Sequence, residues 1–196
     1  DLGTVPNYVR KVLASHGVLG TVVEWFARVD DSPNAGDPYD DPTNYRKYAL
    51  ASVTTHDLPP TAGYLQFEHV QLRERLHLLT ESVESFQASA TAERQAMLNR
   101  LRTLGLISDE EADDADSHIP QIVEAMHAML RKSPSLLIQA ALVDGVGERR
   151  TQNQPGPFDQ YPNWRIPLAD GEGNVVPLEK LFDEPRLQEI TAIMRG

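Results

Sequence analysis

Cysteine is absent from the 196-residue sequence. Without a thiol the chain can form neither a disulfide bond nor a zinc site built on thiolates. A sequence without cysteine is compatible with a reducing compartment, and we expect the protein to act in the cytoplasm.

Long apolar runs and an excess of basic residues are missing too. No apolar stretch reaches the roughly 18 to 20 residues that cross a bilayer, and the N-terminus lacks the features of a signal peptide, so we expect no membrane insertion. The formal net charge is -11. This charge repels a phosphate backbone, and Arg149-Arg150 is too small a basic patch to bind nucleic acid. Neutral partners such as sugars remain compatible with the composition.

The sequence also lacks the motifs of several common enzyme classes. It contains no Walker loop, no dinucleotide-binding glycine fingerprint, no HExxH and no GxSxG. The acidic segment 108–117 lacks the ligand spacing and central glycine of a calcium loop. We interpret this segment as the start of a helix at Ser108 with a solvated acidic face.

Short apolar segments alternate with helical patterns along the chain. Apolar runs predict strands at 18–26, 48–55 and 136–143, and the first is typical of a strand covered on both faces. Helical spacing of apolar residues predicts helices at 6–15, 64–79, 92–104 and 119–130, with one or two more in 178–194. Parallel neighbours need crossover connections, so this alternation predicts an α/β fold with about three parallel strands.

Polar residues follow the predicted strands. The second strand stops at His56-Asp57, where Leu58-Pro59-Pro60 prevents its continuation. The carboxyl ends of parallel strands share one edge, which would gather Glu24-Trp25, His56-Asp57 and the loop after Asp144 where α/β folds bind ligands. From the residues alone, an equal alternative is that Asp57 caps the next helix.

Several motifs resemble one family. The segment 51–64, ASVTTHDLPPTAGY, resembles a segment of the 4-alpha-glucanotransferases (amylomaltases, or disproportionating enzymes), in the branch typical of actinobacteria. Asp1-Leu2-Gly3 resembles the end of the family's Glu-Asp-Leu-Gly motif, and Asn153-Gln154-Pro155-Gly156 and Asn163-Trp164 resemble its Asn-x-Pro-Gly and Asn-Trp segments. The motifs come in the family's order, and the resemblance covers essentially the whole chain.

The resemblance implies a fold and a reaction. The fold is the C-terminal part of a (β/α)8 barrel, with strands six and seven and the preceding helix in 1–63, a helical insertion in 64–132, and the last strand, substrate loop and C-terminal helices in 133–196. The reaction is the retaining transfer of α-1,4-glucan segments between maltooligosaccharides, which needs no metal or redox cofactor.

The resemblance also assigns roles to residues. Asp57 corresponds to the carboxylate that stabilises the transition state, and His56 can donate to a neighbouring sugar hydroxyl. The nucleophilic Asp lies upstream, and the acid/base Glu is expected immediately before Asp1, so the chain looks cut from something longer and is expected to be inactive alone.

Other residues are weaker candidates. Trp25 at a strand end offers a ring to a sugar, and Asn153 with the backbone of Pro155 matches a sugar-contacting segment. We expect Asn163-Trp164 to be structural and Tyr64 to pack under the site.

Two other classes of function remain open. One is a non-catalytic carbohydrate-binding or interaction module, and the other is a helical adaptor whose working surface is 65–130. A three-strand piece also exposes backbone groups at both sheet edges, which predicts self-association.

Overall fold

The computed structural model describes residues 6–196, so the motif Asp1-Leu2-Gly3 lies outside the described residues. Helices and strands follow in the order α1 (Asn7–Ser15), β1 (Gly20–Val23), β2 (Ala49–Ser52), α2 (Thr61–Leu65), α3 (Glu68–Arg75), α4 (Val83–Thr103), α5 (Asp109–Asp113), α6 (Ile119–Leu130), β3 (Leu137–Gln139), α7 (Leu142–Val146) and α8 (Pro185–Arg195). Short 3-10 helices lie at Glu24–Phe26, Val29–Asp31, Pro42–Asn44 and Leu178–Asp183.

The strands form a single parallel sheet in the order β1-β2-β3. Ala51 of β2 pairs with Val22 of β1 on one side and with Ile138 of β3 on the other. The predicted α/β fold with about three parallel strands is therefore confirmed.

The two faces of this sheet have different surroundings. Ala49 and Ala51 are fully buried, and Ala51 belongs to the main core with residues of α4 and α6. Residues of the opposite face, Thr21 and Leu50 among them, line a cavity. On this face of β1 Thr21 is exposed whereas Val23 is buried, so the face is covered only in part, short of the covering on both faces that we expected.

Several predicted elements agree with the structure. The helix predicted at 119–130 is α6 residue for residue, and the one predicted at 6–15 is α1 without Pro6. Ser108 starts α5 with a capping box, in which its hydroxyl accepts from the backbone of Glu111 and the Glu111 carboxylate accepts from the backbone of Ser108.

Other boundaries differ for local reasons. The helix predicted at 64–79 is divided at Phe67, whose backbone is left-handed with φ 61°, so α2 ends before α3 begins. Helix α4 starts nine residues earlier than the predicted 92, because Ser82 caps it by accepting from the backbone of Ser85. The third strand ends at Gln139, and Leu142–Val146 forms α7 instead.

A buried ion pair joins the end of β1 to α4. The Glu24 carboxylate is fully buried and accepts from the Arg100 guanidinium at 2.8 Å and from the Tyr45 hydroxyl at 2.7 Å. Burial raises the pKa of Glu24, and the charge of Arg100 with the Tyr45 hydroxyl opposes that shift. Glu24 therefore faces the core, so its predicted position at the ligand-binding edge is wrong.

An aromatic column continues from this pair. The ring of Tyr64 stacks on Trp25 at 4.2 Å and on His69 at 4.2 Å, and Phe86 meets His69 edge-on at 6.0 Å. The column connects the end of β1 with α2, α3 and α4. Tyr64 packs in the interior, as expected.

Within residues 6–196, no helix has both the length and the apolar content that crossing a bilayer requires.

Because a buried histidine, His69, belongs to the aromatic column, we expect the free energy of unfolding to fall at acid pH. Burial, with the nearby charge of Arg73, lowers the pKa of His69 to about 4 from 6.5. The unfolded chain binds this proton more readily, so the stability contributed by neutral His69 is complete above pH 6.5 and is lost as the pH falls towards 4. We expect His69→Phe to remove on the order of 3 kcal/mol of the stability change between pH 7.5 and 4.

Urea unfolding across that pH range measures this effect. The control is Val70→Ala, which truncates a buried neighbour that does not titrate and should lower stability by the same amount at every pH. An unchanged pH slope in His69→Phe would contradict the prediction.

Candidate functional site

The loop after β2 carries His56 and Asp57 and is fixed from within. The buried Thr54 hydroxyl donates to the carbonyl oxygen of Pro59 at 2.9 Å. The backbone amide of Asp57 donates to the Thr55 hydroxyl at 3.3 Å. The side chains of His56 and Asp57 are 60% and 34% exposed, so this tight turn presents both to solvent.

A second anchor holds the end of this loop. The fully buried Asp144 of α7 accepts from the backbone amide of Thr61 at 2.7 Å and from its hydroxyl at 2.7 Å, at the first residue of α2. Burial raises the pKa of Asp144, and the His127 ring at 3.6 Å and the bonds from Thr61 oppose the shift. Helix α2 therefore takes its capping carboxylate from α7. The alternative role of Asp57 as that cap is wrong.

Asp57 forms a hydrogen bond with a residue far away in the sequence. Its Oδ1 accepts from Asn153 Nδ2 at 2.6 Å, and the Nε2 atom of His56 lies 3.4 Å from the same oxygen. The structure therefore brings together the predicted site residues His56, Asp57 and Asn153. The segment after Asp144 reaches the site through Asn153, as expected.

Close packing brings α2, which follows the loop of Asp57, against the segment that leads to Asn153. A Cβ atom at Gly63 of α2 would clash with the carbonyl oxygen of Arg149. The absence of a side chain at this position lets the chain that leads to Asn153 run directly against the helix that follows Asp57.

The loop 151–164 that carries Asn153 has its own hydrogen bonds. The Tyr161 hydroxyl donates to the carbonyl oxygen of Thr151 at 2.6 Å. The Asn163 side chain accepts from the backbone amide of Gln154 at 2.8 Å and donates to its carbonyl at 3.3 Å. Pro155 is exposed on this loop, and its carbonyl accepts from the Gln154 side chain at 3.1 Å.

A cavity of about 610 Å³ opens beside these residues. Its floor is the open face of the sheet, and its rim includes His56, Leu58, Gln152 and Trp164. Asp57 is flanked in sequence by two of these rim residues. The carboxylate thus lies at the carboxyl end of the middle strand, the edge at which α/β enzymes place their chemistry.

Trp25 does not reach this cavity. Its ring is 1% exposed, one face is covered by Tyr64, and the edge of Tyr39 lies against it. The prediction that Trp25 offers a ring to a sugar is therefore wrong, because the chain turns into a 3-10 helix after Val23 and carries the indole into the core.

The structure adds residues that the sequence patterns did not indicate. Asp144 and Thr61 fix the start of α2 although 83 residues separate them. Trp164, expected to be structural, is 64% exposed with its ring 5.3 Å from that of His56. Neither a long-range capping bond nor the exposure of one tryptophan has a local sequence signal.

The arrangement suits recognition of a neutral, hydroxylated ligand. A partly exposed carboxylate accepts hydrogen bonds from hydroxyl groups, and a neighbouring imidazole can donate one. Among the residues that the structure describes, no group of three or more histidine or acidic side chains is placed to hold a metal ion.

Comparisons with known proteins agree on one family. A family model described as 4-alpha-glucanotransferase matches residues 1–171. The chain is 46% identical over 196 residues to the 4-alpha-glucanotransferase of Mycobacterium tuberculosis and 28% identical over 192 residues to that of Haemophilus influenzae. The matches include 100% and 96% of this chain, respectively, and 26% of the length of each relative. The chain therefore spans about a quarter of the length of these relatives.

Solved structures show the same relation. The crystal structure of amylomaltase from Corynebacterium glutamicum superposes with a TM-score of 0.88 at 38% identity, covering 99% of this chain and 28% of that one. Amylomaltase from Streptococcus agalactiae in complex with acarbose shares the fold at 19% identity, with a TM-score of 0.50 over 100% of this chain and 31% of that one. From the matched family model and these relatives, the chain belongs to the 4-alpha-glucanotransferase family.

Proposed function

We propose that this chain is the C-terminal part of a longer retaining 4-alpha-glucanotransferase that transfers α-1,4-glucan segments between maltooligosaccharides in the cytoplasm. In this proposal Asp57 stabilises the transition state, and the nucleophile and acid/base belong to the remainder of that protein. We refer to this longer protein below as the full-length protein.

One observation carries the proposal. The Asp57 carboxylate lies partly exposed beyond the carboxyl end of the middle strand, held by Asn153 at 2.6 Å and with His56 beside it. Glycosidic cleavage passes through an oxocarbenium-like state, and bonds to ring hydroxyls that strengthen there lower the barrier. A carboxylate already oriented by an amide pays little reorganisation cost when that charge develops.

His56 and Asn153 complete this role. His56 is exposed on the rim and can donate to a hydroxyl next to the one that Asp57 accepts. Asn153 orients the carboxylate, and the exposed Pro155 places its backbone on the same loop. These groups supply differential binding of the transition state, because none of them attacks or protonates the glycosidic bond.

The open sheet face supports the proposed place in a barrel. We assign β1, β2 and β3 to the sixth, seventh and eighth strands, with 64–132 as the helical insertion between the last two. In a closed barrel the inward face of each strand is covered by the other strands, while helices cover the outward face. The two faces of this sheet differ in the same way.

Substitution of Asp57 tests the proposal. In the full-length protein, Asp57→Asn keeps the shape of the side chain and removes the charge that stabilises the oxocarbenium-like state. We expect kcat/KM for maltotriose disproportionation to fall about 10²- to 10³-fold, with the loss mainly in kcat. Chromatography of the glucose and longer glucans formed measures it.

Two controls accompany this experiment. Asp113→Asn removes an exposed carboxylate from α5 and should retain the parent rate. The 196-residue chain alone should leave maltotriose unchanged, because two of the three carboxylates are elsewhere. Parent-like turnover by Asp57→Asn, or turnover by the isolated chain, would refute the assignment. Binding of maltoheptaose without activity of the full-length protein would favour a carbohydrate-binding module.

We also propose that the isolated chain self-associates through its outer strands. Next to and within β3, Leu136 and Leu137 are each 51% exposed, and an unpaired strand edge recruits other strands. Light scattering should give a mass above 21.8 kDa that rises with concentration. Leu137→Lys should reduce this mass, whereas Leu178→Lys, at an exposed site outside the sheet, should not. A constant mass of one chain would contradict the proposal.

A further inference from the structure

Trp164 is an exposed aromatic residue on the rim of the cavity. Its side chain is 64% exposed, and it lines the cavity together with His56. The two ring centroids are 5.3 Å apart at an interplanar angle of 43°. A large apolar ring beside a few polar groups, here His56 and the neighbouring Asp57, is typical of a surface that binds a ligand.

The backbone at this position is strained. Trp164 has φ 61°, in the left-handed region that disfavours residues with a Cβ. It is the third residue of a turn closed by a hydrogen bond from the backbone amide of Arg165 to the carbonyl of Pro162 at 3.0 Å. Turns with a positive φ at this position favour glycine or asparagine. Backbone preference therefore does not account for tryptophan at this position, and proteins retain strain of this kind where the side chain serves a function.

The same loop fixes this ring and the Asp57 carboxylate. The backbone amide of Trp164 donates to the carbonyl of Gln152 at 3.0 Å, next to the Asn153 that holds Asp57. The Asn163 side chain ties the turn to Gln154 through two hydrogen bonds. The backbone that carries the indole is thus tied to the segment that holds Asp57, and the indole itself lies near the His56 ring.

We propose that Trp164 is a sugar-stacking residue, which packs its indole against the apolar face of a glucose unit of the maltooligosaccharide bound at the Asp57 site. This inference rests on the proposed function. The carbon-bound hydrogens of a glucose ring form an apolar face that matches an indole in size, while the ring hydroxyls remain available to His56 and Asp57. The stacked sugar also covers the exposed side of the indole, which compensates the strained turn in the bound state.

Replacement by glycine separates stacking from folding. In the full-length protein, Trp164→Gly removes the ring and relieves the left-handed strain, so the melting temperature should equal or exceed that of the parent. We expect KM for maltotriose to rise about 3- to 10-fold with a smaller change in kcat. Trp164→Phe, which keeps an aromatic face, should recover most of the affinity.

A binding measurement provides a second readout. Calorimetric titration with maltoheptaose, carried out in an Asp57→Asn background to prevent turnover, should show a Kd about 3- to 10-fold weaker when Trp164→Gly is added. Phe158→Ser is the matched control, because Phe158 is 85% exposed on the same loop, and its substitution should leave both KM and Kd unchanged.

The outcomes distinguish this inference from the function on which it rests. If the parent disproportionates maltotriose but Trp164→Gly retains the parent KM and Kd, the stacking role is overturned and the proposed function stands. If Trp164→Gly lowers the melting temperature, or Phe158→Ser weakens binding equally, the indole is a structural or nonspecific contact and the inference fails. If the parent has no such activity, the proposed function itself fails.

Discussion

The hydrogen bond between Asn153 and Asp57 is the interaction on which the site depends. It joins residues 96 positions apart in the chain and gives the carboxylate a fixed direction at the end of the middle strand. Each partner has its own support. The bond of Thr54 to Pro59 and the capping of α2 by Asp144 hold the loop of Asp57, whereas hydrogen bonds within 151–164 hold the loop of Asn153. Both loops are thus supported by hydrogen bonds other than the one that joins them.

The sheet and the helices between β2 and β3 place these loops. The sheet packs its alanine face against the helices and leaves its other face open to the cavity. The buried Glu24–Arg100 pair ties α4 to the end of β1, so the helices of 64–132 are connected to the sheet by charge as well as by apolar packing. Removing one partner of such a pair leaves an uncompensated buried charge, which typically costs about 3–5 kcal/mol. The pair thus opposes separation of α4 from the end of β1.

Local patterns in the sequence predicted much of this architecture. Apolar periodicity located α6 and the three strands, and the double proline after Asp57 located the loop that carries the site. Local sequence patterns could not predict the consequences of contacts between residues far apart in the chain. Trp25 was expected at the rim, yet the turn after Val23 and the stacking partner Tyr64, far along the chain, bury it. The exposure of Trp164 depends in the same way on a turn whose left-handed residue is not a glycine. The order of the motifs indicated the family, but the hydrogen bond between Asn153 and Asp57 is seen only in the three-dimensional structure.

If Asn153 acts by orienting Asp57, the two residues are energetically coupled in catalysis. A double-mutant cycle on kcat/KM in the full-length protein, with Asp57→Ala and Asn153→Ala, measures this coupling. We expect Asn153→Ala to be costly in the parent and nearly silent once Asp57 is alanine, a coupling of about 1–3 kcal/mol. Losses that add to within about 0.5 kcal/mol would show that the two residues act independently and that Asn153 does not orient Asp57.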